Sequence, residues 1–213
     1  MIYHIDDIAK DVRISLDMNS SSDMLAQIND TDTLSLNEII KSKIIEGVKN
    51  VHCLAPAHLL DNDVSFSYKN NIYWKEKECG WIILPEDFMR FISFKMDDWN
   101  HAVHNALSPD SPEYKMQSSR FKGLRGTSQK PLCFIVPRPE GRALEFYSCK
   151  STDAKISQSA YIPYPTIDDN GGITISEHCY KAAIYNIASL VLMTIGEMEK
   201  SQFFNELSKT TLI

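Results

Sequence analysis

Glycine is scarce in this chain: 8 of 213 residues, about 4% against a typical ~7%. With so little of the residue that lets a backbone approach closely, fibrous repeats are excluded and glycine-rich phosphate loops are not expected. No GxSxG, P-loop or GxGxxG pattern occurs. Paired cysteines are missing too. Cys53, Cys79, Cys133, Cys149 and Cys179 are odd in number, and no two form a CxxC pair. This argues against a zinc ribbon or a disulfide framework and predicts reduced, mostly buried thiols made in a cytosol. Long apolar runs are lacking as well. The longest, residues 182–196, is interrupted by Asn186, Ser189 and Thr194 and is too short and polar to span a bilayer. The opening MIYHIDDIAKDVRISLD carries three acids before its second base and no apolar segment of the secretory type, so a soluble chain is expected. Positive charge is not in excess: 28 Asp and Glu against 22 Lys and Arg give −6. A compact basic clamp on DNA is excluded, though not a protein that surrounds DNA without gripping it.

What is present is an ordinary globular composition, 43% hydrophobic and 23% charged, long enough for one domain or one with a small insertion. Ile5, Ile8, Ala9, Val12 and Leu16 recur at helical spacing and predict an amphipathic helix over residues 3–17. The polar run Asn19 to Thr33 reads as a loop. Ser35 followed by Glu38 is a capping box, and Ile40, Ile44, Val48 and Val51 continue a helix that Pro56 bounds near residue 54. The period then changes. Alternation over Val64, Phe66 and Tyr68 predicts a strand, the pair Asn70-Asn71 a turn, and residues 72–75 a return strand. Residues 81–84, stopped by Pro85, and Phe88 to Met96 are further strands, the latter with Phe91, Ser93 and Lys95 on one face and Ile92, Phe94 and Met96 on the other. Residues 131–136 and 143–149 form a hairpin around a Pro/Gly turn, residues 157–164 add a short strand, and Asp168 to Gly172 is a break.

Helices then return. Ser176 caps one that carries Ala182, Ala183, Ile184, Ile187, Leu190, Val191 and Ile195, with Gly196 as its left-handed terminus. A last helix spans about residues 197–209. Helices, strands, then helices define an α+β fold: a helical bundle from the N- and C-terminal helices with an inserted antiparallel β module. The expected segments are 1–62, 63–172 and 173–213.

Few constellations point to chemistry. His101 and His104 would share one face if they lay on a helix, with Asp97 and Asp98 nearby. They lack the intervening Glu and third ligand of a zinc enzyme, so exposed polar histidines are the ordinary reading and a small metal-dependent enzyme the alternative. His178 beside Cys179 diverges on a helix, and no orienting motif supports a thiol nucleophile. Residues 168–172 echo a calcium loop without its acidic twelfth position and read as a turn. No catalytic residue, metal or cofactor is assigned. The least ordinary feature is electrostatic. From Lys115 to Lys130 there are five bases (Lys115, Arg120, Lys122, Arg125 and Lys130) and no acids. The segment reads as a solvated loop or as a contact for DNA backbone or an acidic partner, with Arg125 suited to a phosphate or carboxylate.

Several phrases in order carry a resemblance. They are Thr33-Leu34-Ser35-Leu36-Asn37-Glu38-Ile39-Ile40, Leu84-Pro85-Glu86-Asp87-Phe88, Trp99, Pro112-Glu113-Tyr114, Arg120-Phe121-Lys122-Gly123, Lys130-Pro131 and the C-terminal Ala/Ile-rich helix. Across residues 30–210 the chain resembles the head-to-tail connector proteins of short-tailed bacteriophages, the adaptor or ring proteins beneath the portal, and is most similar in wording to ring proteins of crAss-like phages. The resemblance implies a non-enzymatic virion protein made in the host cytoplasm. It would form a ring with itself, commonly a dodecamer, meet the portal and other tail or ring proteins, and continue the channel for double-stranded DNA without sequence-specific or membrane binding. It further implies that the Leu84-Pro85 phrase and the hairpin around Arg138 to Arg142 belong to the β module. The helices from Ser35 and Ser176 would make lateral contacts. Phe203, Phe204, Leu207, Leu212 and Ile213 would meet the portal or a neighbouring subunit.

Overall fold

The computed structural model describes residues 1–16, 35–61, 63–66, 72–76 and 78–213, apart from the side chains of Glu76 and Lys122. The expected loop over 19–33, the Asn70-Asn71 turn, Tyr68, and the Thr33-Leu34 start of the first phrase lie outside those residues. The fold is mixed α+β, with five α-helices and antiparallel sheets among the described residues. It divides into two units, one formed by Met1–Asn62 with Tyr164–Ile213 and the other by Asp63–Pro163.

In the first unit, strand β1 (Ile2–His4) precedes helix α1 (Ile5–Ser15). The predicted helix therefore starts two residues late. Tyr3 and His4 are spent on pairing with β8 (Gly172–Thr174), and His4 Nδ1 instead caps α1 by accepting from Asp6 N–H at 3.2 Å. Asp6 and Asp7 in the first turn suit the positive end of the helix dipole. That pairing also moves the expected boundary. The segment from Tyr164 belongs to the helical unit, so the β unit ends at Pro163 and not at residue 172. Helix α2 (Leu36–Leu54) begins with both halves of the capping box made: Glu38 accepts from Ser35 N–H at 2.7 Å, and Ser35 Oγ accepts from Glu38 N–H.

Helix α4 (Tyr180–Ile195) is the axis of this unit, packed by α1, α2 and α5 (Met198–Thr210). It starts later than Ser176, which opens a short 3-10 turn and uses its hydroxyl to accept from Asp61 N–H at 3.1 Å. Gly196 ends it in the left-handed conformation, φ 93°. Ala182, Ala183, Ile184, Ile187, Ala188, Val191 and Leu192 are all buried within the unit. Small residues here permit close approach. A Cβ on Gly47 of α2 would lie 2.5 Å from Ile187 Cγ1 and 3.2 Å from its backbone nitrogen. Most of the Ala/Ile stripe is thus used inside the chain, while Leu190 and Ile195 stay half-buried.

The second unit holds a four-stranded sheet in the order β2 (Tyr73–Glu76), β3 (Cys79–Ile83), β6 (Gly141–Tyr147), β5 (Leu132–Arg138). A separate ribbon pairs β4 (Phe88–Met96) with β7 (Ile156–Pro163). The return strand at 73–76 thus pairs with β3, whereas Val64 makes only an isolated bridge to Tyr161. The β5–β6 hairpin is tighter than expected, with Arg138 opposite Gly141 and only Pro139-Glu140 between; Gly141 takes φ 128°. Strict alternation in β4 fails because register shifts interrupt it, so Ser93 and Phe94 are both buried. Ile82, Leu144, Phe146 and Cys133 on one face of the sheet join Phe66, Phe88, Phe94, Met96, Trp99 and Tyr161 in an aromatic core. Within it, Phe146 meets Phe94 at 5.3 Å, Trp74 at 5.8 Å and Trp99 at 6.2 Å between ring centroids. The Leu84-Pro85-Glu86-Asp87-Phe88 phrase closes a turn by Phe88 N–H to Pro85 O, and Asp87 accepts from Tyr161 O–H.

Candidate functional site

The opposite face of the four-stranded sheet carries Cys79 and Trp81 from β3, Glu145 and Tyr147 from β6, and Phe134 and Arg138 from β5; Cys79 stands opposite Tyr147, and Trp81 and Phe134 flank Glu145. An acid on a sheet face that is 1% exposed demands partners. Arg138 Nη2 donates to Glu145 Oε2 at 2.8 Å, the Tyr147 hydroxyl donates to Oε1, and the Cys79 thiol lies 4.0 Å from Oε1. Burial, then the hydrogen bond to Glu145, pushes the Tyr147 phenol far above its ordinary range. Arg138 is stacked on Trp81 at 4.3 Å, and Trp81 on Tyr73 at 4.4 Å. With both carboxylate oxygens occupied, this group anchors the sheet and is not a free acid or base.

The segment expected to be a basic loop is folded over that face. It begins in helix α3 (Pro112–Met116), whose Tyr114 packs on Phe134 at 5.1 Å and on Tyr147 at 6.5 Å. Gln117, buried, donates to Glu113 O at 2.9 Å and accepts from Gly126 N–H at 2.9 Å, pinning residues 118–125 between. Gly126 is required there, since a Cβ would lie 2.4 Å from Ser148 Oγ. Arg125 is thereby fixed: its Nε donates to Ser119 O, and its Nη1 stands 3.7 Å from Glu78. The acid-free reading of this segment held only in sequence, because Glu78 comes from the β2–β3 turn.

Lys115 and Arg125 line one cavity of about 470 Å³, together with Lys75, Cys79, Tyr114, Gln117, Ser118 and Tyr147. Arg120 and Lys130 are exposed and do not line it, and the side chain of Lys122 lies outside the described set. Neither Lys75 nor Lys115 forms an ion pair with a described side chain. Lys75 was missed by sequence reasoning; its only signal was a lysine in a strand next to the turn that supplies Glu78. The charge of the described lining suits an anion: it supplies three cations, with Glu78 beside Arg125 and Glu145 already paired with Arg138.

Other expected sites do not assemble. Residues 101–104 are not helical, with a bend at His101 and Val103 bridged to Phe94, so His101 and His104 do not share a helix face, and both are exposed. No group of three or more His, Cys, Asp or Glu able to hold a metal occurs among the described residues. All five cysteines are free, and four are buried, Cys53 being exposed. Burial raises Cys133 well above the ordinary thiol value, and burial with Asp98 nearby pushes Cys149 up to about 12, which opposes nucleophilic use. Asp168 accepts from the N–H groups of Asn170 and Gly172, the turn expected there.

At the C-terminus Phe203 is 59% exposed and Ile213 fully exposed, while Phe204 and Leu207 are half-buried. Leu212 is 5% exposed, so its expected role as an outward contact is corrected: it is packed within its own unit. Among the described residues no helix is long and apolar enough to cross a membrane. No protein-family model matches the chain, and no curated protein matches it.

Proposed function

We propose that this chain is a non-enzymatic virion structural protein, a ring-forming head-to-tail adaptor of a short-tailed bacteriophage. It joins portal to tail and continues the DNA channel, as its resemblance to crAss-like ring proteins implies. A ring or stopper further down the tail is the same reading one position lower. The observation that carries it is architectural. The chain is mixed α+β and divides into one unit drawn from both ends, Met1–Asn62 with Tyr164–Ile213, and one from the middle, Asp63–Pro163, a division that supports a bundle with an inserted β module. A subunit that joins a closed ring needs two different faces that complement each other. Phe203 and Ile213, with the exposed Met193 and Met198, supply apolar surface unused within the chain. The charge is uneven in a way that suits a conduit. The helical unit holds 16 acids against 8 bases, net −8, and the β unit 12 against 14, net +2. An acidic wall repels DNA and keeps it mobile, and scattered bases steady it. The metal-enzyme alternative is not carried further, because the shared helix face it required does not form.

Mass photometry and negative-stain microscopy of the purified chain, alone and mixed with the portal protein of the same phage, test this. The expected result is a ring with about twelve times the 24.3 kDa subunit mass, weakened by Phe203→Asp. A single 24.3 kDa species under both conditions overturns the proposal.

A further inference from the structure

The cavity above the four-stranded sheet has a lining that the adaptor reading does not use. Its cations come from three separate places in the chain: Lys75 on β2, Lys115 on α3, and Arg125 from the segment that Gln117 and Gly126 pin down. Gathering like charges in one concavity is unfavourable unless something offsets them. Glu78 offsets one, at 3.7 Å from Arg125. Among the described side chains the ammonium groups of Lys75 and Lys115 have no acidic partner, and Arg125 Nη2 is left without one once Nε and Nη1 are engaged. Glu145, the nearest buried acid, is already saturated by Arg138 and Tyr147. Counting the described side chains, and with Glu145 and Arg138 offsetting each other, three cations against Glu78 leave about two positive charges at the space.

We propose that this cavity is a binding site for the phosphate group of a small phosphomonoester, with Lys75, Lys115 and Arg125 as its ligands. A monoester carries about −1.5 to −2 charge at pH 7, which matches the surplus, whereas a backbone phosphodiester carries one. The volume, about 470 Å³, lies in the range of small-ligand sites, and its concavity fits a terminal phosphate better than a convex duplex. Arg125 is held before binding by Ser119 O, so little side-chain entropy is lost in fixing it. The rings of Tyr114 and Tyr147, set edge to face at 87°, give the organic part aromatic surface beside the charged end. This site stands whether or not the chain forms a ring.

Isothermal titration of the full chain at 150 mM salt tests it with four probes: inorganic phosphate, adenosine 5′-monophosphate, adenosine, and a 12-base-pair duplex. Saturable binding of the monophosphate but not of adenosine is expected. Lys75→Met and Lys115→Met should each weaken it about tenfold with unchanged circular dichroism, while Arg120→Gln and Lys130→Gln leave it unaltered. Inorganic phosphate binding as tightly as the monophosphate supports the anion site and names free phosphate as its source. The proposal is overturned if adenosine binds equally, if neither phosphate compound saturates, or if only the duplex binds and all four variants weaken it alike.

Discussion

The two units solve the problem of a stable interior with different materials. The helical unit is cemented by small and aliphatic residues around α4, and its helices approach closely enough at Gly47 and Ile187 to leave no room for a methyl group. Three serines that enter that interior bond to backbone. Ser189 Oγ donates to Ser201 O at 2.8 Å, Ser201 Oγ returns the bond to Ser189 O at 2.9 Å, and Ser208 Oγ donates to Ala182 O at 2.9 Å. The β unit instead packs large rings on one sheet face and buries an ion pair on the other. Charge divides the same way, net −8 against +2. A chain average of −6 therefore describes neither unit, and a basic cavity is compatible with an acidic protein because the acids reside mainly elsewhere.

The largest expected effect removes the centre of the aromatic core. Phe146 is fully buried among Trp74, Phe94 and Trp99, and Phe146→Ala should destabilise the β unit by about 3–5 kcal/mol. All three tryptophans lie in this unit, so urea unfolding followed by tryptophan fluorescence reads it selectively. A fluorescence midpoint equal to that of the unsubstituted chain would show that the rings do not hold this unit together.

How much of this contrast was legible in the sequence depends on the length scale of the signal. The capping box at Ser35 and Glu38 and the left-handed Gly196 are set by a few neighbouring residues and could be read directly. The β5–β6 hairpin could be read because its turn residues and strand alternation agree. Strands β1 and β8 could not: three residues show no period, and their pairing joins positions about 170 residues apart. Helix α3 is five residues long, too short to reveal a helical stripe, so the basic segment read as a loop. The five bases were visible, but which of them converge was not. That depends on Gln117 reaching Gly126 and on Lys75 arriving from a distant strand. Likewise His101 and His104 had helical spacing, but the bridge from Val103 to Phe94 goes with a non-helical segment there.

The next effect belongs to the helical unit and depends on pH. His52 of α2 is buried and accepts from Ser176 N–H at 3.4 Å on Nε2, which requires the neutral ring. Burial is the chief cause that lowers its pKa from 6.5 to about 4, against the opposing attraction of Asp61. Unfolding releases the ring to an ordinary value. Between pH 6.5 and 4 the unfolded state thus binds more protons, so stability is full above pH 6.5 and falls as acid is added. The total loss is on the order of 3 kcal/mol once pH passes below 4. Ellipticity at 222 nm during urea unfolding should show this decline, and His52→Asn should remove most of that slope. An identical slope in the variant would assign the acid sensitivity to carboxylates instead.

The smallest effect tests the serine joint between α4 and α5. Ser189 and Ser201 are both buried and exchange hydroxyl-to-carbonyl bonds, which lets two helices meet without an apolar pair at that level. Ser189→Ala deletes one donor, but Ser201 Oγ can still donate to the Ser189 carbonyl. The backbone oxygen of Ser201 loses its hydroxyl partner while keeping its place in the helix. One modest bond is lost and no buried charge is exposed, so the cost should be about 1 kcal/mol, read at 222 nm with the tryptophan signal as the comparison. Ser189→Val adds volume where two hydroxyls now meet, and should cost more than the alanine variant because the close helix approach cannot relax. If valine were tolerated better than alanine, the joint would be an underpacked apolar contact, and the distinction between a bonded helical interior and a ring-packed β interior would fail at this position.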